Sequence, residues 1–321
     1  MSTTNRSANA RTLTRWCVLL AGVFALTGLR PFSNAAAQSP HQRTFSSAEE
    51  AVETLVDTVK KGDLDGLIAI FGPDGKDLAA SSDAATARMN RQVFTVAAAE
   101  GWRLTEGGAG RKVLVIGNED WPFPVPLVKE ANLWRFDTAA GQEEIIARRI
   151  GRNELAAIDT VRAYVAAQNR YASHPHDGNP PGVFATRFHS DAGKQNGLYW
   201  PARHGEPRSP LGDLVAQAAE EGRPVGPAGA ESSPFHGYYF KILTGQSAAG
   251  PGGARSYILD GRMLGGFALV AWPAQYNVTG VMTFIVNQDA VVLEKDLGPG
   301  TDAVARKMRL YNPDPSWRPV Q

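Results

Sequence analysis

The sequence predicts an α+β protein of two domains. Helical periodicity dominates residues 46–100 and 139–172, and each stretch is followed by short β-branched and aromatic runs separated by turn residues. Helices followed by strands, rather than alternating with them, point to antiparallel sheets packed beside helices. At 321 residues the chain is also long enough for two cores.

The first elements are helical. Ser46-Ser47-Ala48-Glu49-Glu50 offers two overlapping capping boxes, Ser46/Glu49 and Ser47/Glu50. Val52, Leu55, Val56 and Val59 follow at helical spacing, and Lys60-Lys61-Gly62 closes the helix with cations and a C-terminal glycine. A second helix is expected over Leu64–Phe71, before the breaker Gly72-Pro73-Asp74-Gly75, and a third over Asp83–Glu100. Arg111–Ile116 and Leu133–Asp137 read as strands. Between them, Pro122, Pro124 and Pro126 lack ladder donors, so Trp121–Leu127 reads as an edge strand or extended arm. These elements define an N-terminal domain over 44–150.

Residues 139–172 are strongly helical, with Gly151 as a possible interruption and domain boundary. The C-terminal domain, 151–321, begins with this helix. A loop-rich stretch over 174–235 contains one expected helix, Ser209–Glu221, with Ser209 as its N-cap and Pro210 in the first turn. Strands are expected at 238–243, 256–259, 267–272, 281–286 and 291–295, the last two joined by a tight turn at Asn287-Gln288-Asp289. Short connections make these neighbours antiparallel.

Residues 1–37 read as a signal peptide. Arg6, Arg11 and Arg15 precede the apolar run Trp16–Leu29, which is shorter than the ~20 residues of a spanning helix, and Ala35-Ala36-Ala37 supplies a cleavage site. The expected location is therefore secreted or periplasmic, with no stable membrane span after signal removal. Cleavage removes Cys17, the only cysteine, and takes the net charge from +1 to −3, because Arg30 leaves with the other three arginines. Thiol chemistry is thereby excluded from the mature chain, and a mildly acidic balance argues against a nucleic-acid partner.

Sites of chemistry are sparse. His174-Pro175-His176-Asp177 is the nearest approach to a metal cluster, though it lies in a loop rather than on a helix face. His236, with His189 and His204, offers a general base, but no Gly-x-Ser-x-Gly motif supplies a nucleophile. In the charge-dense helix 143–154, Arg149 and Arg152 are candidate anion or interdomain contacts, against the plainer reading of a solvated face. Trp121, Tyr199, Trp200, Tyr238 and Trp272 are candidates for stacking against a glycan or Pro-rich peptide. Gly107-Gly108-Ala109-Gly110 lacks the residues of a phosphate loop, and no cofactor is expected.

Several long strings resemble a family of exported bacterial proteins known as domain of unknown function 2950. They include Gly72–Leu78, Asp120–Pro124, Trp134–Gly141, Arg148–Leu155, Gly197–Pro201, Phe235–Tyr239, Gly265–Pro273 and Gly280–Asn287. The resemblance implies export and carries no agreed activity. The C-terminal half is also similar to the globular head of type IV pilin-like proteins, with Leu155–Tyr171 as the helix before a Gly-Tyr-Tyr-Phe strand, though it lacks their N-terminal apolar stalk. The N-terminal half resembles the opening helices of cystatin-like cone domains. Together these readings favour an exported envelope protein of the binding or surface-assembly kind, with an envelope protein, peptide or glycan as partner. The competing expectation is a periplasmic hydrolase or metalloenzyme using the His/Asp residues.

Overall fold

A computed structural model describes residues 42–75, 84–202, 208–213 and 234–320. The expected signal segment 1–37, Cys17 and His204 lie outside these residues. The chain is mixed α+β and divides into two compact units, between Ala147 and Arg148.

In the first unit, α1 (Ala48–Lys61) is capped by Ser47, whose hydroxyl accepts the Glu50 amide. The Glu50 carboxylate reaches back to the backbone N–H and hydroxyl of Ser46. Of the two expected capping boxes, Ser47/Glu50 forms its forward bond, while the return bond of Glu50 goes to Ser46 instead of Ser47. Gly62, at φ 66°, ends the helix and donates to the Thr58 and Val59 carbonyls. Asp63 caps α2 (Leu64–Phe71) through the Gly66 amide. Helix α3 (Ala84–Glu100) leads into β1 (Trp102–Glu106), which pairs antiparallel with β2 (Arg111–Ile116). The proline-rich arm splits in two. Its start, β3 (Trp121–Pro122), pairs with the far end of β2, and its continuation becomes β4 (Leu127–Glu130). A two-residue turn, Ala131-Asn132, with φ positive at both positions, joins β4 to β5 (Leu133–Phe136). Phe45, Val52, Leu55, Ile70, Leu114, Leu127 and Phe136 form the buried core of this unit.

Helix α4 (Thr138–Ala172) runs unbroken through Gly151, contrary to the expected interruption. Arg149, Ile150 and Arg152 beside Gly151 are residues that a helix accommodates, and a lone glycine costs only about 1 kcal/mol there. In the second unit α4 presents Ala157, Val161, Tyr164, Gln168 and Tyr171 to the interior. The central sheet is antiparallel, in the order β15 (Arg318–Pro319), β13 (Leu293–Asp296), β12 (Met282–Asn287), β11 (Ala268–Pro273), β6 (Tyr238–Leu243). Every residue of β11 is buried, which explains why its sequence is a continuous apolar run rather than an alternation. The Asn287-Gln288-Asp289 turn joins β12 to β13 as expected. The remaining strands are short: β7 (Gly245–Gln246), β8 (Arg255–Ser256), β9 (Ile258–Leu259), β10 (Arg262–Met263) and β14 (Leu310–Tyr311). The β9–β10 hairpin turns at Asp260-Gly261, again with two positive φ values.

Helix α5 (Thr301–Lys307), absent from the sequence expectation, packs beside β11. The expected helix at Ser209–Glu221 lies mostly outside the described residues. Gly212 and Asp213 are helical, but the Ser209 hydroxyl holds no amide, so it does not cap. Among the described residues, no helix is long and apolar enough to cross a membrane.

Candidate functional site

The most connected polar group of the second unit lies on the part of α4 that begins the string Arg152-Asn153-Glu154. Asn153 Nδ2 donates to the Thr279 carbonyl at 2.8 Å. Glu154 Oε1 accepts the backbone amides of Val281 at 2.8 Å and Met282 at 2.9 Å. The Tyr238 hydroxyl sits 3.5 Å from the same oxygen and donates to the Met282 carbonyl at 3.0 Å. Burial, with Glu154 beside it, pushes the Tyr238 phenol far above its ordinary range, so it remains a donor. Two glycines make room. A Cβ on Gly280 would lie 2.1 Å from the Tyr238 hydroxyl, and one on Gly237 would lie 2.6 Å from Asn153 Nδ2. Glu294, on β13, has its carboxyl raised by burial first and then by Glu154, with Arg318 opposing. Two carboxylates and a phenol thus meet at one end of the sheet, but Glu154 and Tyr238 are committed to holding the start of β12 against α4.

A second group forms at the other end of α4. His176 stacks on Tyr171, with ring centroids 4.2 Å apart and planes 20° from parallel. Trp200 also packs on His176, with ring centroids 5.5 Å apart and planes tilted by 56°. The Tyr171 hydroxyl donates to the Gln195 carbonyl at 2.9 Å, and its pKa is pushed up to about 12 by burial and by Asp177. His176 Nδ1 faces Gln195 Oε1 at 3.3 Å. Two buried ring nitrogens here, His176 Nε2 and Trp200 Nε1, have no hydrogen-bond partner, and the buried hydroxyl of nearby Ser209 has none either.

This arrangement does not converge the expected metal ligands. Asp177 and Gly178 have φ of 45° and 79° and form a two-residue turn whose ends, His176 and Asn179, bridge. The turn sends Asp177 to the Gln195 amide at 2.7 Å, while His174 Nδ1 contacts its neighbour Ser173. Among the described residues, no group of three or more His, Cys, Asp or Glu side chains is placed to hold a metal ion. The Asp-Gly pair read as a ligand next to a glycine is turn chemistry.

The other candidates scatter. His236 is also a turn residue. His236 and Gly237 have φ of 48° and 73°, and Phe235 bridges Tyr238 across them. Trp121 lies in the first unit, half-buried, edge-on to Phe123 at 6.0 Å. Trp272 is buried under α5. Its Nε1 donates to Asp302 at 3.0 Å, and the Arg306 guanidinium covers both Trp272 and Tyr239. Tyr199 is half-buried and packs edge-on against His189, whose pKa is lowered by burial. Arg152 is held below its ordinary value by partial burial and then by the charges of Arg149 and Arg148. Of the candidate binding residues, Tyr199 and Trp200 are neighbours in the chain, and Tyr238 joins a different group. Glu154, Glu294, Gln195 and Ser209 were missed. Glu154 stands within a charge-dense run, where its neighbours Arg149 and Arg152 suggested a solvated face.

In the first unit, a shallow depression of about 370 Å³ on α1 is lined by Glu50, Glu53, Asp57 and Asp63, with Arg43 and Lys61. Its charges are mixed and solvated.

Fold and site together define a two-unit α+β protein whose polar residues chiefly lock helices to sheets. The family model for "Protein of unknown function (DUF2950)" matches residues 42–320, so the chain belongs to that family. No curated protein and no solved structure matches it.

Proposed function

We propose that this chain is an exported, non-enzymatic envelope protein that binds a peptide, glycan or envelope protein through the loop-rich end of its second unit. The observation that carries the reading is the Tyr171–His176 stack with Trp200 tilted against it, where buried ring nitrogens lack partners. Buried polar atoms are nearly always paired, so an unpaired set beside aromatic rings supports a place for a ligand or a bound water. The basic-apolar-small order of residues 1–37 supports export. Commitment of Glu154, Tyr238, Asp177 and His236 to clamps and turns favours binding over catalysis. The finer fold reading, a pilin-like head in the second unit and a cystatin-like cone in the first, draws support from a long helix preceding an antiparallel sheet in each half.

Export is tested by expressing the full chain in a bacterium and sequencing the product's N-terminus. A periplasmic or released protein beginning at Gln38 is expected, and full-length cytoplasmic product would refute it. Binding is tested with a photo-crosslinking residue at Tyr199 and, as control, at the exposed Val93. Envelope material should be captured at Tyr199, and equal capture at both positions would refute the assignment.

A further inference from the structure

We propose that the open edge of the first unit's sheet pairs with the same edge of a second copy of this chain, β1 lying antiparallel to its counterpart about a two-fold axis at Leu104. The inference is independent of the partner-binding reading of the second unit. It starts from the direction of the main-chain groups of β1. The Gly117 amide donates to the Gly101 carbonyl at 2.8 Å, and the Gly107 amide to the Arg111 carbonyl at 2.9 Å. Along an antiparallel strand, residues bonded to the neighbour alternate with residues facing away from it. Gly101, Arg103, Thr105 and Gly107 therefore bond toward β2, and Trp102, Leu104 and Glu106 turn their N–H and C=O groups outward. Among the described residues, no group meets them. The opposite edge of the same sheet is closed. Phe45 exchanges both main-chain bonds with Trp134 at 2.8 Å, and the Gln42 side-chain amide donates to the Phe136 carbonyl at 2.7 Å. Proline and bulges are the usual protection of an open edge. Strand β1 has neither, since its five residues include no proline and pair with β2 residue for residue.

Open ladder groups select an extended strand as occupant, and their arrangement fits this chain's own copy. Trp102 and Glu106 lie symmetrically about Leu104. With the axis at Leu104, each Leu104 exchanges two bonds with its counterpart, and each Trp102 does so with the copy's Glu106. Every outward N–H and C=O of both strands is then paired. Moving the axis by one residue leaves Trp102 or Glu106 beyond the end of the other strand. The shift to Arg103 also sets Arg103 directly against Arg103, and like charges opposite one another are destabilising. With the axis at Leu104, Arg103 stands opposite Thr105, and its charge is held by Asp120 of its own chain. Leu104 meets Leu104 on the side of the sheet that carries Leu114, an apolar cross-strand pair. At both ends Gly101 stands opposite Gly107, so no side chains crowd the approach.

The experiment uses the chain from Gln38, which lacks cysteine. Sedimentation velocity from about 5 to 500 µM covers the range of a weak pairing, and a reversible shift from monomer to dimer is expected. Glu106→Pro removes an outward N–H that β2 does not use, so circular dichroism should be unchanged while dimerisation weakens at least about tenfold. A second measurement leaves the main chain of β1 intact. Arg103→Cys places two thiols diagonally across the axis, about 7–8 Å apart, within reach of a short bifunctional maleimide. Leu133→Cys, exposed on the closed edge, is the control. Covalent dimer should form at position 103 and not at 133. A chain that stays monomeric throughout, even one whose β1 edge takes up a foreign strand, overturns the pairing. So do equal yields at 103 and 133, or a folded Glu106→Pro that dimerises as well as the parent chain.

Discussion

Replacing Glu154 tests whether the α4–β12 clamp holds the second unit together. The carboxylate accepts two backbone amides, from Val281 and Met282, through one oxygen. Each bond involves a charged acceptor, worth roughly 1.5–3 kcal/mol, and half-burial places both near the lower end, so Glu154→Ala should cost about 3 kcal/mol. Glu154→Gln keeps an acceptor in place and should cost about 1 kcal/mol. The neighbouring Leu155 is 41% exposed, and Leu155→Ala should change stability by less than about 0.5 kcal/mol. Urea unfolding gives the three values, with an unchanged slope required for the comparison. Hydrogen exchange supplies the local readout, because the Val281 and Met282 amides should lose protection in Glu154→Ala before the β11 amides do. A loss under about 1 kcal/mol for Glu154→Ala, or equal losses for Ala and Gln, would refute the clamp.

Glu294 gives a pH prediction. Its carboxyl is raised in the folded state, so the folded protein holds that proton more tightly than the unfolded chain. Its contribution is fully present below the ordinary carboxylate range and lost as pH rises through the folded value. Glu294→Gln should therefore flatten the stability profile in that window and stabilise the protein at neutral pH, as read by urea midpoints from pH 4 to 8; an unchanged profile would count against the burial of the Glu294 carboxyl beside Glu154. Gly280→Ala places a Cβ 2.1 Å from the Tyr238 hydroxyl and 2.6 Å from two of its ring carbons and should cost about 3 kcal/mol; combined with Tyr238→Leu, which removes the ring, the loss should be less than additive, and additive losses would contradict the contact. Gln168 is fully buried and bonds both the amide and the carbonyl of Ala185. Gln168→Leu leaves both unpaired and should cost about 2–5 kcal/mol, with the Ala185 amide exchanging faster; a cost below 1 kcal/mol would refute this account.

Much of the fold was legible because its signals are local. Ser47, Glu50, Lys61 and Gly62 carry the start and stop of α1 within a few residues of chain. The continuous run at Phe267–Trp272 marks the central strand without reference to anything distant. The misses have equally specific causes. Helix α5 is short and follows Gly298-Pro299-Gly300, so breaker residues masked it. Strand β1 lies just past Glu100, where the expected third helix ends, and its five residues belong to no expected element because only Trp102 and Leu104 among them are apolar. The site was harder. Asp177 and His236 have side chains that suit catalysis, yet their backbones sit at positive φ, and the glycine after each was the readable clue to a turn. Glu154 looked like one charge among several, because its partners, Tyr238, Val281 and Met282, lie 84 to 128 positions away, where no local pattern reaches. Trp200 drew attention for its size, whereas its informative property is an unpaired nitrogen, which appears only when its neighbours are known.

The α4–β12 clamp also sets an order of events for the growing chain. Its hydrogen bonds join residues 126, 127 and 128 positions apart. Tyr164 adds a bond to the Ala268 carbonyl across 104 positions. Such distant contacts make loop closure slow, and none can form until the far partner has been synthesised. The Asn153–Glu154 end of α4 must therefore wait while more than a hundred residues follow it, whereas Gln168 and Tyr171 meet Ala185 and Gln195 much sooner. A chain ending before Val281 would keep the helix and lose the two amides that Glu154 holds. The second unit is accordingly a late-closing body, and truncations near its C-terminus should be exposed to proteolysis along α4 rather than at the new end.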